Sequence, residues 1–81
     1  MSSATNTDVL PGVLEIVAKI GDLKDLAPDQ DYYDAGIASV VALPLLLELE
    51  ERFHVAIPDD RFIAARTARE LEKLIVELRE E

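Results

Sequence analysis

Ser39 is the residue of this sequence whose type and position are most suggestive of chemistry. It opens an apolar and acidic segment, SVVALPLLLELEERF, that covers 39–53. A serine at the start of a helix commonly caps free backbone N–H groups with its hydroxyl. The same N–H groups and the helix dipole also favour a phosphate group. Local sequence therefore leaves two interpretations open, a capping serine and the attachment site of a phosphodiester.

Other catalytic and metal-binding arrangements are scarce. His54 is the only histidine, and the sequence has no cysteine. The sequence contains the residue types of a Ser-His-Asp hydrolase, with Ser39 and His54 as the candidates, but 81 residues leave little room for an oxyanion hole and a substrate pocket. Asp29, Asp31 and Asp34 lack the glycine and the glutamate that a calcium loop needs at its sixth and twelfth positions. We therefore predict no catalytic residue and no metal site.

Composition narrows the classes of partner. The chain has 17 Asp and Glu against 8 Lys and Arg, a net charge of −9. Nucleic-acid binding requires clustered basic residues, so we expect no nucleic-acid partner. The longest apolar run, 40–47, is too short to span a bilayer, and the first residues lack the pattern of a secretion signal. We expect a cytoplasmic monomer that has no membrane partner.

Hydrophobic periodicity predicts helices that would position these residues. The predicted helices cover 8–20, 39–53, 60–65 and 68–79. Asp8 is the expected N-cap of the first helix, and Thr67 with Glu70 has the capping-box pattern of the last one. The fold class is therefore all-α, a small antiparallel bundle of three main helices plus one short helix. We expect 1–7 to be a flexible N-terminus and 8–81 to form one domain.

The connection between the first two helices, 21–38, is long for so small a domain, and long connections are often functional. Gly21 is expected to end the first helix in the left-handed conformation. Pro44 lies five residues after Ser39, where it either kinks the second helix or tightens its opening turn. The side chains expected to hold the long connection against the core are Leu23, Leu26, Tyr32, Tyr33 and Ile37.

The second helix has more apolar surface than one buried stripe requires. The predicted core face consists of Leu45, Leu46, Leu49 and Phe53. Val40, Leu43 and Leu47, at i, i+3 and i+7, form a second apolar stripe on this helix. A small bundle can hardly bury this stripe unless the helix is covered on most sides. The segment 29–60 also holds eight acids and one base, which is either chance or a docking face for basic proteins. The predicted partner-binding residues are Val40, Leu43, Leu47, Glu48, Glu50 and Glu51.

The segment DYYDAGIASVVALPLLLELEERFHVAIPDDRF, 31–62, resembles the central stretch of the acyl carrier protein family. That family shows D-x-F-D-x-G-x-D-S-L, then a leucine-rich acidic helix and F-x-x-x-I-P-D. The matching residues are Asp31, Asp34, Gly36, Ser39, Glu50, Glu51, Phe53, Ile57, Pro58 and Asp59. The resemblance covers about 9–78, and Thr67 stands where the family caps its last helix.

This resemblance implies a four-helix bundle that is not an enzyme. It implies that Ser39 carries 4′-phosphopantetheine, which a phosphopantetheinyl transferase installs from coenzyme A. The thiol of this arm would hold acyl or aminoacyl groups as thioesters. The implied partners are that transferase, an acyl or aminoacyl ligase or transferase, and downstream synthases with basic docking faces.

Two residues beside the serine depart from the family pattern, because Ala38 replaces its Asp and Val40 its Leu. The AGIAS sequence is similar to stand-alone carriers of specialised pathways, some of them loaded with amino acids. The main alternative is an unmodified acidic helical module for protein–protein interaction.

Overall fold

A computed structural model describes residues 9–80 as an assembly of helices. The elements are α1 (Val9–Gly21), a 3₁₀ turn (Ser39–Val41), α2 (Ala42–Phe53), α3 (Asp59–Ala64) and α4 (Ala68–Glu80). Extended structure within this range is limited to an isolated antiparallel bridge between Asp31 and Thr67. The predicted bundle of three main helices and one short helix is thereby confirmed. None of the helices in 9–80 is long and apolar enough to cross a membrane.

The helix boundaries differ slightly from those predicted. Helix α1 includes Gly21, and Asp22 takes the left-handed conformation instead, with φ 54°. Gly21 is needed for space, because a Cβ atom there would lie 2.5 Å from Cγ1 of Ile37. Helix α3 lies one residue earlier than predicted, and α4 is one residue longer. The expected Asp8 cap and the segment 1–7 lie outside the described residues.

The core is mainly aliphatic, with Tyr32, Phe53 and Phe62 as its aromatic members, and is formed mainly where α1 packs against α2 and α4. Helices α1 and α2 run antiparallel, since Glu15 pairs with Arg52 at 3.1 Å and Lys19 with Glu48 at 3.6 Å. The predicted core face of α2 is confirmed. Its four buried residues are Leu45, Leu46, Leu49 and Phe53.

Pro44 and Thr67 show how the sequence shapes the two helix starts. Pro44 is the third residue of α2, within the first turn, where its missing N–H costs no intrahelical hydrogen bond. The preceding 3₁₀ turn makes the opening of this helix tight, which is the second of the two predicted outcomes. At the start of α4 the predicted cap is confirmed, because Thr67 Oγ1 accepts the N–H of Glu70 at 3.1 Å.

Candidate functional site

Ser39 lies at the N-terminal end of the 3₁₀ turn and is exposed to solvent. The capping position of this turn is occupied by Ala38, in an extended conformation, and its methyl group cannot accept a hydrogen bond. The Ser39 hydroxyl forms no hydrogen bond with any other residue in 9–80, so the capping interpretation is wrong. An accessible serine oxygen therefore stands at the end of α2 where the helix dipole favours negative charge.

The long loop, 22–38, leads to Ser39 and is held by hydrogen bonds to the connection between α3 and α4. Tyr32 is fully buried; its hydroxyl donates to the carbonyl of Ala65 at 2.6 Å, and its N–H donates to that of Arg66 at 3.0 Å. Burial raises the pKa of the Tyr32 hydroxyl far above its ordinary value, so it stays a proton donor. Ile37 is buried as well, and its N–H donates to the Tyr32 carbonyl at 3.0 Å.

The remaining apolar side chains of this loop behave as expected. Leu23, Leu26 and Tyr33 are half-buried and pack against the core. The predicted anchoring of the long connection is therefore confirmed. Gly36 has a φ of 127°, a conformation that side chains rarely tolerate, so the turn before Ser39 requires glycine.

The Asp31 side chain stabilises the turn between Tyr32 and Ile37. Its Oδ1 accepts the N–H groups of Tyr33 at 2.8 Å and Asp34 at 3.1 Å, and its Oδ2 accepts a hydrogen bond from Arg66 Nε at 2.6 Å. The hydrogen bond from Arg66 is the main reason that the pKa of Asp31 lies below its ordinary range. The part of the chain that the structure describes contains no group of three acidic or His residues placed to hold a metal ion.

An apolar surface begins directly after Ser39. Val40, Leu43 and Leu47 are 80 %, 62 % and 55 % exposed, so this stripe of the second helix is unburied as predicted. Ile63 of α3, 66 % exposed, was not predicted to belong to it. We call these four residues the α2–α3 apolar surface.

A groove of about 180 Å³ runs between the two helices of this surface. Leu43 and Ile63 both line it, and Phe62 lies at its base with 3 % of its surface exposed. Neighbouring residues point about 100° apart around a helix. Phe62 was not assigned to the core from the sequence; that assignment would have predicted the exposure of the neighbouring Ile63.

The predicted docking acids differ in their surroundings. Glu48 forms the ion pair with Lys19, and the half-buried Glu50 accepts the N–H of Ile57 at 2.9 Å. Glu50 thus joins the end of α2 to the connection that precedes α3. Glu51 is exposed and forms no ion pair with any residue in 9–80. Of the three acids, Glu51 is the one whose charge is available to a partner.

The hydrolase alternative is wrong on geometry. His54 follows the last residue of α2, where it takes the left-handed conformation and donates its N–H to the Glu50 carbonyl. Ser39 begins the 3₁₀ turn, Ser39–Val41, that precedes the first residue of the same helix. Twelve residues of α-helix separate them, a length of about 18 Å at 1.5 Å per residue. Their side chains cannot form a nucleophile–base pair across that distance.

Comparisons with known proteins agree with this arrangement. The family model described as a phosphopantetheine attachment site matches residues 11–75. A probable acyl carrier protein from Caulobacter vibrioides is 36 % identical over 73 residues, which cover 90 % of this chain and 74 % of that protein. An aminoacyl carrier protein from Agrobacterium fabrum is 31 % identical over 77 residues, 84 % of this chain and 93 % of that protein. No solved structure matches the chain.

The described residues fit the group that this family carries. The arm is attached to an oxygen, and the exposed hydroxyl of Ser39, which has no hydrogen-bond partner within 9–80, offers one without any rearrangement of the fold. The protein is a carrier of acyl or aminoacyl groups, not an enzyme, and 4′-phosphopantetheine is its covalent cofactor. The matched domain, the helical fold and both relatives together show that the chain belongs to the acyl carrier protein family.

Proposed function

We propose that Ser39 is the residue to which 4′-phosphopantetheine is attached. The observation that carries this proposal is the Ser39 hydroxyl, which is exposed at the N-terminal end of α2 and has no hydrogen-bond partner within 9–80. The arm, when attached, supplies a thiol that holds an acyl or aminoacyl group as a thioester. The chain itself exposes the oxygen, and the helix dipole favours the negative phosphodiester beside it. Because a serine hydroxyl is a weak nucleophile, the transferase must provide the base.

We further propose that the transferase and the acyl-processing enzymes dock on α2. The proposed contact residues are Val40, Leu43, Leu47, Glu48, Glu50 and Glu51. The exposure of the apolar stripe next to Ser39 supports this role. The charge of Glu51, which forms no ion pair within 9–80, supports partners with basic docking faces. We also propose that the carrier is a cytoplasmic monomer to which these partners bind one at a time.

The cargo that we propose is an aminoacyl group. Two observations support it: the AGIAS sequence before and at the serine, and the relative named as an aminoacyl carrier protein, 93 % of whose length is matched. Intact mass of the protein purified from its native cell tests this proposal. An added mass of one amino acid beyond the arm, removed by hydroxylamine, is the expected result, and a fatty acyl mass would contradict it.

Modification of the purified protein tests the attachment site. Incubation with coenzyme A, Mg²⁺ and a broad-specificity phosphopantetheinyl transferase should add one arm to the parent and none to Ser39→Ala. Since the hydroxyl makes no hydrogen bond with another residue in 9–80, Ser39→Ala should unfold at the temperature of the parent. Ser2 and Ser3 are the other serines, so the double variant Ser2→Ala, Ser3→Ala is the matched control and should be modified normally.

Two results would count against the assignment. A mass gain that persists in Ser39→Ala would move the attachment to another residue. A parent that gains no mass with any transferase, and carries none in its native cell, would favour the unmodified interaction module instead.

A further inference from the structure

Arg66 lies in the connection between α3 and α4, and its guanidinium binds the loop that precedes Ser39. Its Nε donates to Asp31 Oδ2 at 2.6 Å, and its Cζ lies 4.9 Å from the centre of the Tyr33 ring. The guanidinium therefore contacts a carboxylate and an aromatic ring of the same turn at once. Its planar geometry suits both contacts, whereas lysine would keep the positive charge beside Asp31 but not the planar group.

Asp31 passes this contact on to the backbone of the turn. The oxygen that Arg66 does not use accepts the N–H groups of Tyr33 and Asp34. The carbonyl of Asp31 accepts the N–H of Ala35 at 3.0 Å, so side chain and backbone of one residue bind three successive amides. The turn ends at Ile37, which is buried two residues before Ser39.

Arg66 is itself firmly held. Its carbonyl accepts the N–H of Tyr32 at 3.0 Å, and its own N–H donates to Glu70 Oε1 at 2.7 Å. Glu70 belongs to the first turn of α4. A continuous path of hydrogen bonds thus joins the start of α4, through Arg66 and Asp31, to the turn that leads into Ser39.

From this path we infer that Arg66 is a positioning residue for the modification of Ser39, acting through the Asp31 carboxylate. The inference rests on the proposed attachment at Ser39. Tyr32 and Ile37 anchor the two ends of the turn in the core, whereas the N–H groups of Tyr33, Asp34 and Ala35 between them all bind oxygens of Asp31. Small displacements of a reacting group lower rates steeply, by as much as about 100-fold for about 1 Å.

A second ion pair provides a matched control. Arg69 Nε lies 2.7 Å from Asp29 Oδ1, so it also joins the long loop to the start of α4. The Asp29 carboxylate accepts no backbone hydrogen bond from residues in 9–80, and it precedes the Tyr32 anchor. Loss of this pair removes one loop-to-helix contact without touching the turn that ends at Ile37.

Steady-state kinetics of the transferase test the inference. Initial rates are measured at saturating coenzyme A over a range of carrier concentrations for Arg66→Gln, Asp31→Asn, Arg66→Lys and Arg69→Gln. Arg66→Gln should lower kcat about tenfold and leave KM within about twofold, because the docking surface on α2 is unchanged while the serine is misplaced after binding. Arg66→Lys should recover part of the loss, and Arg69→Gln should match the parent.

Asp31→Asn keeps an oxygen for the turn and removes the charge that Arg66 binds, so it tests the same path if Arg66→Gln folds poorly. The double variant Asp31→Asn, Arg66→Gln should be no slower than the slower single variant, since both interrupt one path. Three results would each overturn the positioning role. The first is a loss of kcat in the double variant equal to the product of the two single losses. The others are an unchanged kcat in the Arg66 and Asp31 variants, and an equal loss in Arg69→Gln. Such results would leave attachment at Ser39 intact, whereas a parent that gains no arm would refute both proposals.

Discussion

Truncating Leu47 and Leu49 separates the two faces of α2. Leu49 is fully buried, whereas Leu47 is 55 % exposed. Leu49→Ala should cost about 2–5 kcal/mol of unfolding free energy, the range for a core leucine. Burying a whole leucine side chain is worth about 1.5–3 kcal/mol, and less than half of Leu47 leaves water, so Leu47→Ala should cost about 1 kcal/mol or less.

These costs are large for a chain of this size. Natural domains have about 0.05–0.15 kcal/mol of stability per residue, so Leu49→Ala should remove a substantial part of the total. Each kcal/mol shifts the Tm of a small domain by about 4–8 °C. The Tm of Leu49→Ala should therefore fall by about 10 °C or more, and that of Leu47→Ala by a few degrees.

Urea denaturation followed by far-UV circular dichroism gives the two free energies, since the chain has no Trp to serve as a probe. Transferase kinetics on the same two proteins should show the opposite order at a temperature where both are folded. Leu47→Ala should raise KM, and Leu49→Ala should leave it nearly unchanged. A larger loss of stability in Leu47→Ala would refute the assignment of the two faces.

Three further predictions concern charge near the site. Glu51→Lys should raise the KM of the transferase, with the difference from the parent shrinking in high salt; Glu50 is unsuitable for this test because its carboxylate binds Ile57. An effect of Glu51→Lys that salt does not change would contradict long-range attraction. The folded-state pKa of Asp31 lies below its unfolded value, so its charge stabilises the fold above pH of about 4 and this contribution is lost as pH falls through the lowered pKa. The difference in unfolding free energy between the parent and Asp31→Asn should therefore shrink in melts below about pH 4. Ala38→Asp, which restores the acid of the family motif, should raise kcat/KM with a general transferase, and an unchanged value would show that Ala38 does not limit recognition.

The sequence alone determined the helices and the buried face of α2. Those features depend on residues that are close along the chain: apolar spacing of three and four residues, the Thr67 cap and the early position of Pro44. The spacing of the motif around Ser39 also indicated the family before any contact was known. Local physical chemistry is enough for such features, because the interacting groups are brought together by the helix itself.

Only the tertiary structure decided which charged groups meet. Arg66 and Asp31 are 35 residues apart, and Arg69 and Asp29 are 40 residues apart, so no helical spacing could have paired them. The hydrogen bond between Glu50 and Ile57 and the space that makes Gly21 necessary likewise depend on how α1, α3 and the long loop pack. Whether Ser39 would cap its helix was decided in the same way, because the loop places Ala38 at the capping position and leaves the serine oxygen in solvent.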